Sequence, residues 1–266
     1  MTDPNYKGGL FSNQAYRPLA DSLRPNLLRD VVGQDHLLGS DGLIGQMAKN
    51  NRLISMILWG PPGCGKTTIA RLLSSICDYE FVSLSAVFSG VSELRKIFDQ
   101  ASKLHQDGKG TLLFIDEIHR FNKAQQDALL HAVEDGTLIL IGATTENPSF
   151  EIISPLLSRC RVLKLNSLAK DVLKSILLNA INRDVVLIKH YISFKDGTQE
   201  KLVLASGGEA RKMLNTLETA VTMSGKDGLT VVVDKKLLSE ALQSKTQIYD
   251  KAGDYHYDTI SAFIKS

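Results

Sequence analysis

Residues 57–68 read Ile57-Leu58-Trp59-Gly60-Pro61-Pro62-Gly63-Cys64-Gly65-Lys66-Thr67-Thr68, and this stretch decides the fold. Gly60, Gly65, Lys66 and Thr67 fill the G-x-x-x-x-G-K-[ST] pattern of a phosphate-binding loop. The flanks suit it. The apolar run Ile54–Trp59 predicts a buried strand entering the loop, and Thr67–Cys77 predicts a helix leaving it. Glycines let backbone N–H groups turn inward around phosphate oxygens, where a side chain would collide. Lys66 is expected to reach the β- and γ-phosphates, and the Thr67 hydroxyl to hold Mg²⁺. The helix N-terminus adds partial positive charge at the same spot. Residues from Gly60 through Pro61, Pro62, Gly63 and Cys64 to Thr68 are thus expected to bind ATP or GTP.

With 266 residues, 43% of them apolar, the chain can bury a sizeable core, and one large plus one small domain is the natural division. A formal net charge of +2 neither demands nor excludes a nucleic-acid partner. No apolar run approaches the ~20 residues of a membrane span, and the N-terminus lacks the apolar core of a signal peptide. Three cysteines (Cys64, Cys77 and Cys160) at unrelated spacings suit free thiols in a reducing compartment. A cytoplasmic protein with no membrane partner is expected.

Five β-branched-rich runs recur along the chain: Ile54–Trp59, Glu80–Leu84, Thr111–Ile115, Leu138–Gly142 and Val162–Leu165. Helical patterns fit between them at Thr67–Cys77, Ser92–His105, Lys123–Glu134 and Ile152–Leu157. Continuous apolar strands alternating with helices predict an α/β fold with a five-stranded parallel sheet covered on both faces. After Leu168 the period turns helical, over Lys170–Asn182, Thr198–Ala205, Glu209–Met223 and Asp234–Leu242. A small all-helical lid is therefore expected to follow the sheet. Beyond Gln243 the pattern predicts a loop, then the start of a helix at Tyr257–Ile264.

The run Thr111–Glu117 ends a buried strand in two carboxylates, which a parallel sheet places at the edge where phosphate loops also lie. Asp116 is expected to hold Mg²⁺ through water, and Glu117 to act as general base on the attacking water. Alone, such a pair would equally suit a solvated turn; behind a phosphate loop it reads as chemistry. Thr144, at the next strand end, is placed to orient that water. Arg159 closes a helix and Arg211 opens one, and their positions in the sequence leave both without an assigned role.

Together these motifs resemble the ordered signature of AAA+ ATPases, in particular the clamp-loader branch. Leu19 to Gly39, Phe114 to Glu151 and Pro155 to Val162 closely resemble replication-associated recombination protein A and the Werner-helicase-interacting ATPases. The most specific strings are His119-Arg120-Phe121-Asn122-Lys123 and Thr144-Thr145-Glu146-Asn147-Pro148. The resemblance implies an arginine finger at Arg159, supplied to ATP on a neighbouring subunit, an effect worth ~10³–10⁵ in rate in NTPases generally. It implies a lid arginine at Arg211, a sensor at Thr144, and an adenine-contacting stretch around Val32 and Gly33, which favours ATP over GTP. The family divides the chain into a tail at 1–14, an ATPase core at 15–167, a lid at 168–243 and the beginning of a C-terminal helical region at 244–266. Family members continue into a helical oligomerisation region, so a homo-oligomer is expected of longer relatives rather than of this stretch.

The resemblance also implies a DNA-dependent ATPase acting at forks, gaps or duplex ends in the nucleoid, with contacts to replisome components or single-strand-binding protein. Arg95, Lys96, Lys103, Arg120 and Lys123 offer phosphate contacts at most, and one tryptophan makes no stacking platform. A clamp-loader subunit and a Holliday-junction branch-migration motor share the same core and are the alternatives. A protein unfoldase would need an aromatic pore loop, for which Phe88-Ser89-Gly90 is a faint candidate.

Overall fold

The computed structural model describes residues 17–86, 90–183, 187, 191–224 and 230–249. The tail at 1–14, Phe88-Ser89 and the chain from 250 onward lie outside the described residues.

Five strands form one sheet: β1 (Met56–Trp59), β2 (Glu80–Ser85), β3 (Thr111–Asp116), β4 (Ile139–Thr144) and β5 (Arg161–Lys164). Their order is β2-β3-β4-β1-β5 and every pairing is parallel. Alternate residues face opposite sides, so each strand feeds two cores. Ile57, Leu113, Ile115 and Leu140 pack on one side beneath α5 (Val91–Gln106), α6 (Lys123–Glu134) and α8 (Ser154–Arg159). Met56, Leu58, Phe114 and Ile141 pack on the other beneath α3 (Leu43–Lys49) and α4 (Lys66–Ile76). The helices turn matching stripes inward, Ile69 and Leu73 on α4 and Leu94, Ile97 and Ala101 on α5. A reciprocal capping box starts α6: Gln125 N–H donates to Asn122 Oδ1 and Asn122 N–H donates to Gln125 Oε1, both at 2.9 Å.

The helix expected over Ile152–Leu157 is α8, which starts two residues later at Ser154, and a separate short helix, α7 (Pro148–Glu151), precedes it. Extended Ile152 and Ile153 separate them, and Pro155 stands in the first turn of α8, where its missing N–H costs nothing. Gln126 of α6, 2% exposed, seals the break. Its Nε2 donates to Phe121 O at 2.9 Å and Glu151 O at 3.0 Å, and its Oε1 accepts from Ile153 N–H at 2.9 Å.

Past the sheet come α9 (Lys170–Arg183), α10 (Thr198–Ala205), α11 (Ala210–Met223) and α12 (Lys235–Tyr249), packed around Leu173, Leu177, Leu202, Met213 and Leu217. This helical region holds more than helices. Tyr191–Phe194 (β6) and Thr230–Val233 (β7) pair as a two-stranded parallel ribbon, which corrects the all-helical expectation. Val231 and Val233 are buried, and Thr198 Oγ1 ties α10 to the ribbon through Val233 O at 2.8 Å. Four-residue strands leave too short an alternation to read in advance. A second correction concerns α12, which runs on to Tyr249 through the expected loop, since no glycine or proline interrupts 235–249. Leu19 of α1 (Leu19–Ser22) also belongs to this cluster, and its N–H donates to Glu218 Oε1 of α11 at 3.1 Å.

One buried amide joins the parts. Gln34, fully buried before α2 (Asp35–Leu38), donates through Nε2 to Asn166 O at 2.8 Å and Cys64 O at 3.3 Å, and accepts from Asn166 N–H at 3.0 Å. It links the N-terminal segment, the phosphate loop and the connector leaving β5. Gln34→Leu fills similar space but strands these partners, so urea unfolding should report a loss of about 2–4 kcal/mol.

The three thiols are free. Burial pushes Cys160 up to about 12, and burial also raises Cys64, against the pull of nearby Lys66. A thiol reagent should therefore modify only half-buried Cys77 in the native chain, and all three cysteines after denaturation.

Candidate functional site: a phosphate-loop cleft

A cleft of about 500 Å³ opens at the carboxyl edge of the sheet, between the strand ends and the helical region. Its floor comes from adjacent strands. Gly60 N–H donates to Thr144 O at 3.1 Å, extending the β1–β4 ladder into the phosphate loop. On the far side of β4, β3 ends at Asp116. Thr144 therefore stands between the loop and the carboxylates, as its place in the sequence suggests.

Gly65 caps α4 at φ +107°, a conformation that side chains resist, and nothing crowds its missing Cβ. Lys66 curls back so that Nζ donates to Gly60 O at 2.6 Å and Pro61 O at 2.8 Å. Burial lowers the Lys66 ammonium below its ordinary value; Asp116 and Glu117 draw it up again, while Arg211 presses it down. Cys64 contributes to the cleft wall yet packs with Ile69 and Leu73 in the core, which suits an inert thiol.

Glu117 turns the chain out of β3 in the left-handed region, φ +54° and ψ +44°, at a cost of roughly 1–2 kcal/mol. Its N–H donates to Asp116 Oδ1 at 3.2 Å, and its Oε2 accepts from Arg120 Nε at 2.6 Å. Thr144 Oγ1 accepts from Glu146 N–H at 3.0 Å and lies 3.0 Å from His119 Nδ1.

Of the residues singled out in the sequence, Val32, Pro62, Gly63, Cys64, Gly65, Lys66, Thr67, Thr68, Asp116, Glu117, Thr144 and Arg211 all line this cleft. Gly60 and Pro61 serve it through the carbonyls that hold Lys66. Gly33 does not line it: a Cβ there would meet Leu168 Cδ2 at 2.8 Å, so the residue backs the wall rather than facing the opening. Arg159 also stands apart. It pairs with Glu134 at the end of α6 and donates to Pro155 O at 2.6 Å. The opposite wall, which the sequence did not disclose, carries Ile176, Asn179 and Arg183 of α9 and Leu214 of α11. Only their helical spacing hints that α9 and α11 share a face.

Thr67 and Asp116 face the cleft together and offer a hydroxyl and a carboxylate to a hard cation. Among the described residues no trio of His, Cys, Asp or Glu converges, so a divalent ion here would need oxygens from a ligand as well. No helix among the described residues is long and apolar enough to cross a membrane.

Comparison with known proteins agrees with this geometry. Residues 56–167 match the ATPase family associated with various cellular activities (AAA), and residues 188–266 match the AAA C-terminal domain. The chain is 41% identical over 265 residues to replication-associated recombination protein A of Escherichia coli K12, covering 96% of this chain and 58% of that protein. It is 40% identical over 272 residues to the ATPase WRNIP1 of Dictyostelium discoideum, covering 96% of this chain and 31% of that one. The chain thus spans little more than half, or less, of these relatives. Among solved structures it resembles the Thermotoga maritima RuvB Holliday junction branch migration motor, with 26% identity and a TM-score of 0.63 over 84% of this chain and 72% of that one. The chain therefore carries an AAA ATPase domain followed by an AAA C-terminal domain, in that order, and is similar along nearly its whole length to replication-associated recombination protein A.

Proposed function

We propose that the chain binds ATP with Mg²⁺ and hydrolyses it, and that turnover drives remodelling of DNA forks, gaps or duplex ends. One observation carries the hydrolase reading: Lys66, Thr67, Asp116, Glu117, Thr144 and Arg211 converge on a single cleft from three strand ends and a lid helix. In this reading the apolar residues Val31, Val32, Ile176 and Leu214 take the base, and Lys66 with Arg211 takes the phosphates. Thr67 and Asp116 would hold Mg²⁺, and the chemistry it would supply there is neutralisation of phosphate charge. Glu117 leaves Arg120 and accepts a proton from the attacking water, while Thr144 helps orient the reacting groups.

Arg159 is the finger offered to the cleft of a second copy, which its place outside its own cleft supports. The DNA part rests on the names of the relatives, and replisome or single-strand-binding protein contacts rest on the same footing. Likeness to the RuvB motor favours a second reading, branch migration at DNA junctions.

Lys66→Ala should abolish ATP binding. Glu117→Gln should bind ATP normally while losing about 10²–10⁴ in kcat, measured by phosphate release. Forked, gapped or blunt duplex DNA should stimulate turnover, the more so at low salt; no stimulation by any of them removes the DNA reading and leaves the hydrolase.

The finger has its own test. Mixing inactive Arg159→Ala and Glu117→Gln chains should restore turnover, because one supplies the finger and the other the base. Failure of the mixture where both variants bind ATP and sedimentation shows that they co-assemble would make Arg159 structural.

A further inference from the structure

The hydrogen-bond arithmetic at Thr144 assigns a task to His119. A hydroxyl owns one proton and two lone pairs. Glu146 N–H occupies one lone pair of Thr144 Oγ1 at 3.0 Å. His119 Nδ1, also at 3.0 Å, engages either the other lone pair or the proton, according to its tautomer. If Nδ1 carries the hydrogen, both lone pairs are filled and Thr144 can only donate. Its remaining protein acceptor, Glu146 O, lies 3.3 Å away, longer than a good O–H···O bond of roughly 2.5–3.0 Å. The proton is then held only by this long bond, which a better-placed acceptor in the cleft can displace. With the opposite tautomer His119 would consume that proton, and Thr144 would aim a lone pair at whatever binds. Toward a phosphoryl oxygen that is repulsive.

The fold holds this contact deliberately close. Glu117 in its left-handed conformation turns the chain into the short helical turn Ile118–Arg120. Ile118 is fully buried against β4 at Gly142, where a Cβ would meet Ile118 Cδ1 at 2.9 Å. The bare backbone at Gly142 lets Ile118 seat, and seating Ile118 brings the next residue to Thr144. Thr144 itself is 1% exposed, so water competes little for its bonds.

We propose that His119 is a positioning residue that donates Nδ1–H to Thr144 and so makes Thr144 a donor-only group facing a phosphoryl oxygen. This rests on the ATP-hydrolase reading above. Neither acid–base chemistry nor ATP contact is asked of His119.

Three substitutions separate the ring nitrogens. The Asn amide overlies ring Nδ1 and keeps the donor; the Gln amide overlies Nε2; Phe keeps only shape. His119→Asn should stay within about threefold of the parent kcat, while His119→Gln and His119→Phe should lose roughly tenfold or more. ATP affinity, measured by titration with a fluorescent ATP analogue, should hold in all three. In a Thr144→Val background the Gln effect should vanish, because the group it acts through is gone. Should the Phe variant fail to fold, the Asn and Gln pair still decides.

Ring ¹⁵N spectra of the nucleotide-free chain supply a readout independent of turnover: the neutral ring should be protonated at Nδ1. Full activity of His119→Gln, an undiminished Gln effect in Thr144→Val, or an unprotonated Nδ1 would each overturn the assignment. If the parent chain shows no turnover, the hydrolase reading falls, while the ring spectrum still judges the Thr144 contact on its own.

Discussion

The hydrogen bond from Gly60 N–H to Thr144 O, 3.1 Å long, is where the sheet becomes a site. It extends the β1–β4 ladder by one rung beyond Trp59 and fixes the height at which the phosphate loop leaves the sheet. The pairing of β4 with β3 then sets the height of Asp116 relative to Thr144. A slip of either parallel pairing would carry a loop or a carboxylate away from the cleft and invert the buried faces of the strand. Since both faces are packed, the core and the cleft are specified by the same register.

The cleft's second wall depends on a different bond set. Gln34 grips the loop at Cys64 O and the connector at Asn166, so the base of the helical region is tied to the phosphate loop. A buried amide costs more when unsatisfied than it contributes when paired. That asymmetry favours one relation between loop and connector over near alternatives. The approach of α11 to the loop agrees with it: a Cβ on Gly63 would sit 3.3 Å from Glu209 Cβ.

Much of this was legible in the residues, for identifiable reasons. The inner strands β1, β3 and β4 are continuous apolar runs because both their faces are buried, and Lys66, Asp116, Glu117 and Thr144 sit at or shortly beyond their ends. The ribbon of β6 and β7 escaped because each is a half-exposed four-residue strand set between helical patterns, without the alternation of strand and helix that marks the main sheet. Gln34 and Gln126 escaped because a lone glutamine has no pattern; only tertiary placement makes it a knot. Arg211 carried a signal that went unread. A cation in the first turn of α11 opposes the helix dipole, which is tolerable where an anion is to be bound. The grip of Glu134 on Arg159 is wholly a through-space fact. Gly33 follows the run Asp30, Val31 and Val32 that lines the cleft and packs against Leu168 and Val172 behind it, a difference between neighbours that the sequence does not mark.

Helix α6 has one more consequence. Its twelve residues, a rod of about 18 Å, begin two residues after the turn that carries His119 and Arg120, and end at Glu134. Gln126 clamps the rod near its start and Glu134 holds Arg159 at its end. A shift at the turn is therefore passed along a stiff lever rather than dissipated in a loop. The guanidinium of Arg159 thus rides on the same rigid piece as the residues that follow the end of β3, although more than twenty positions separate it from Glu134 in the chain.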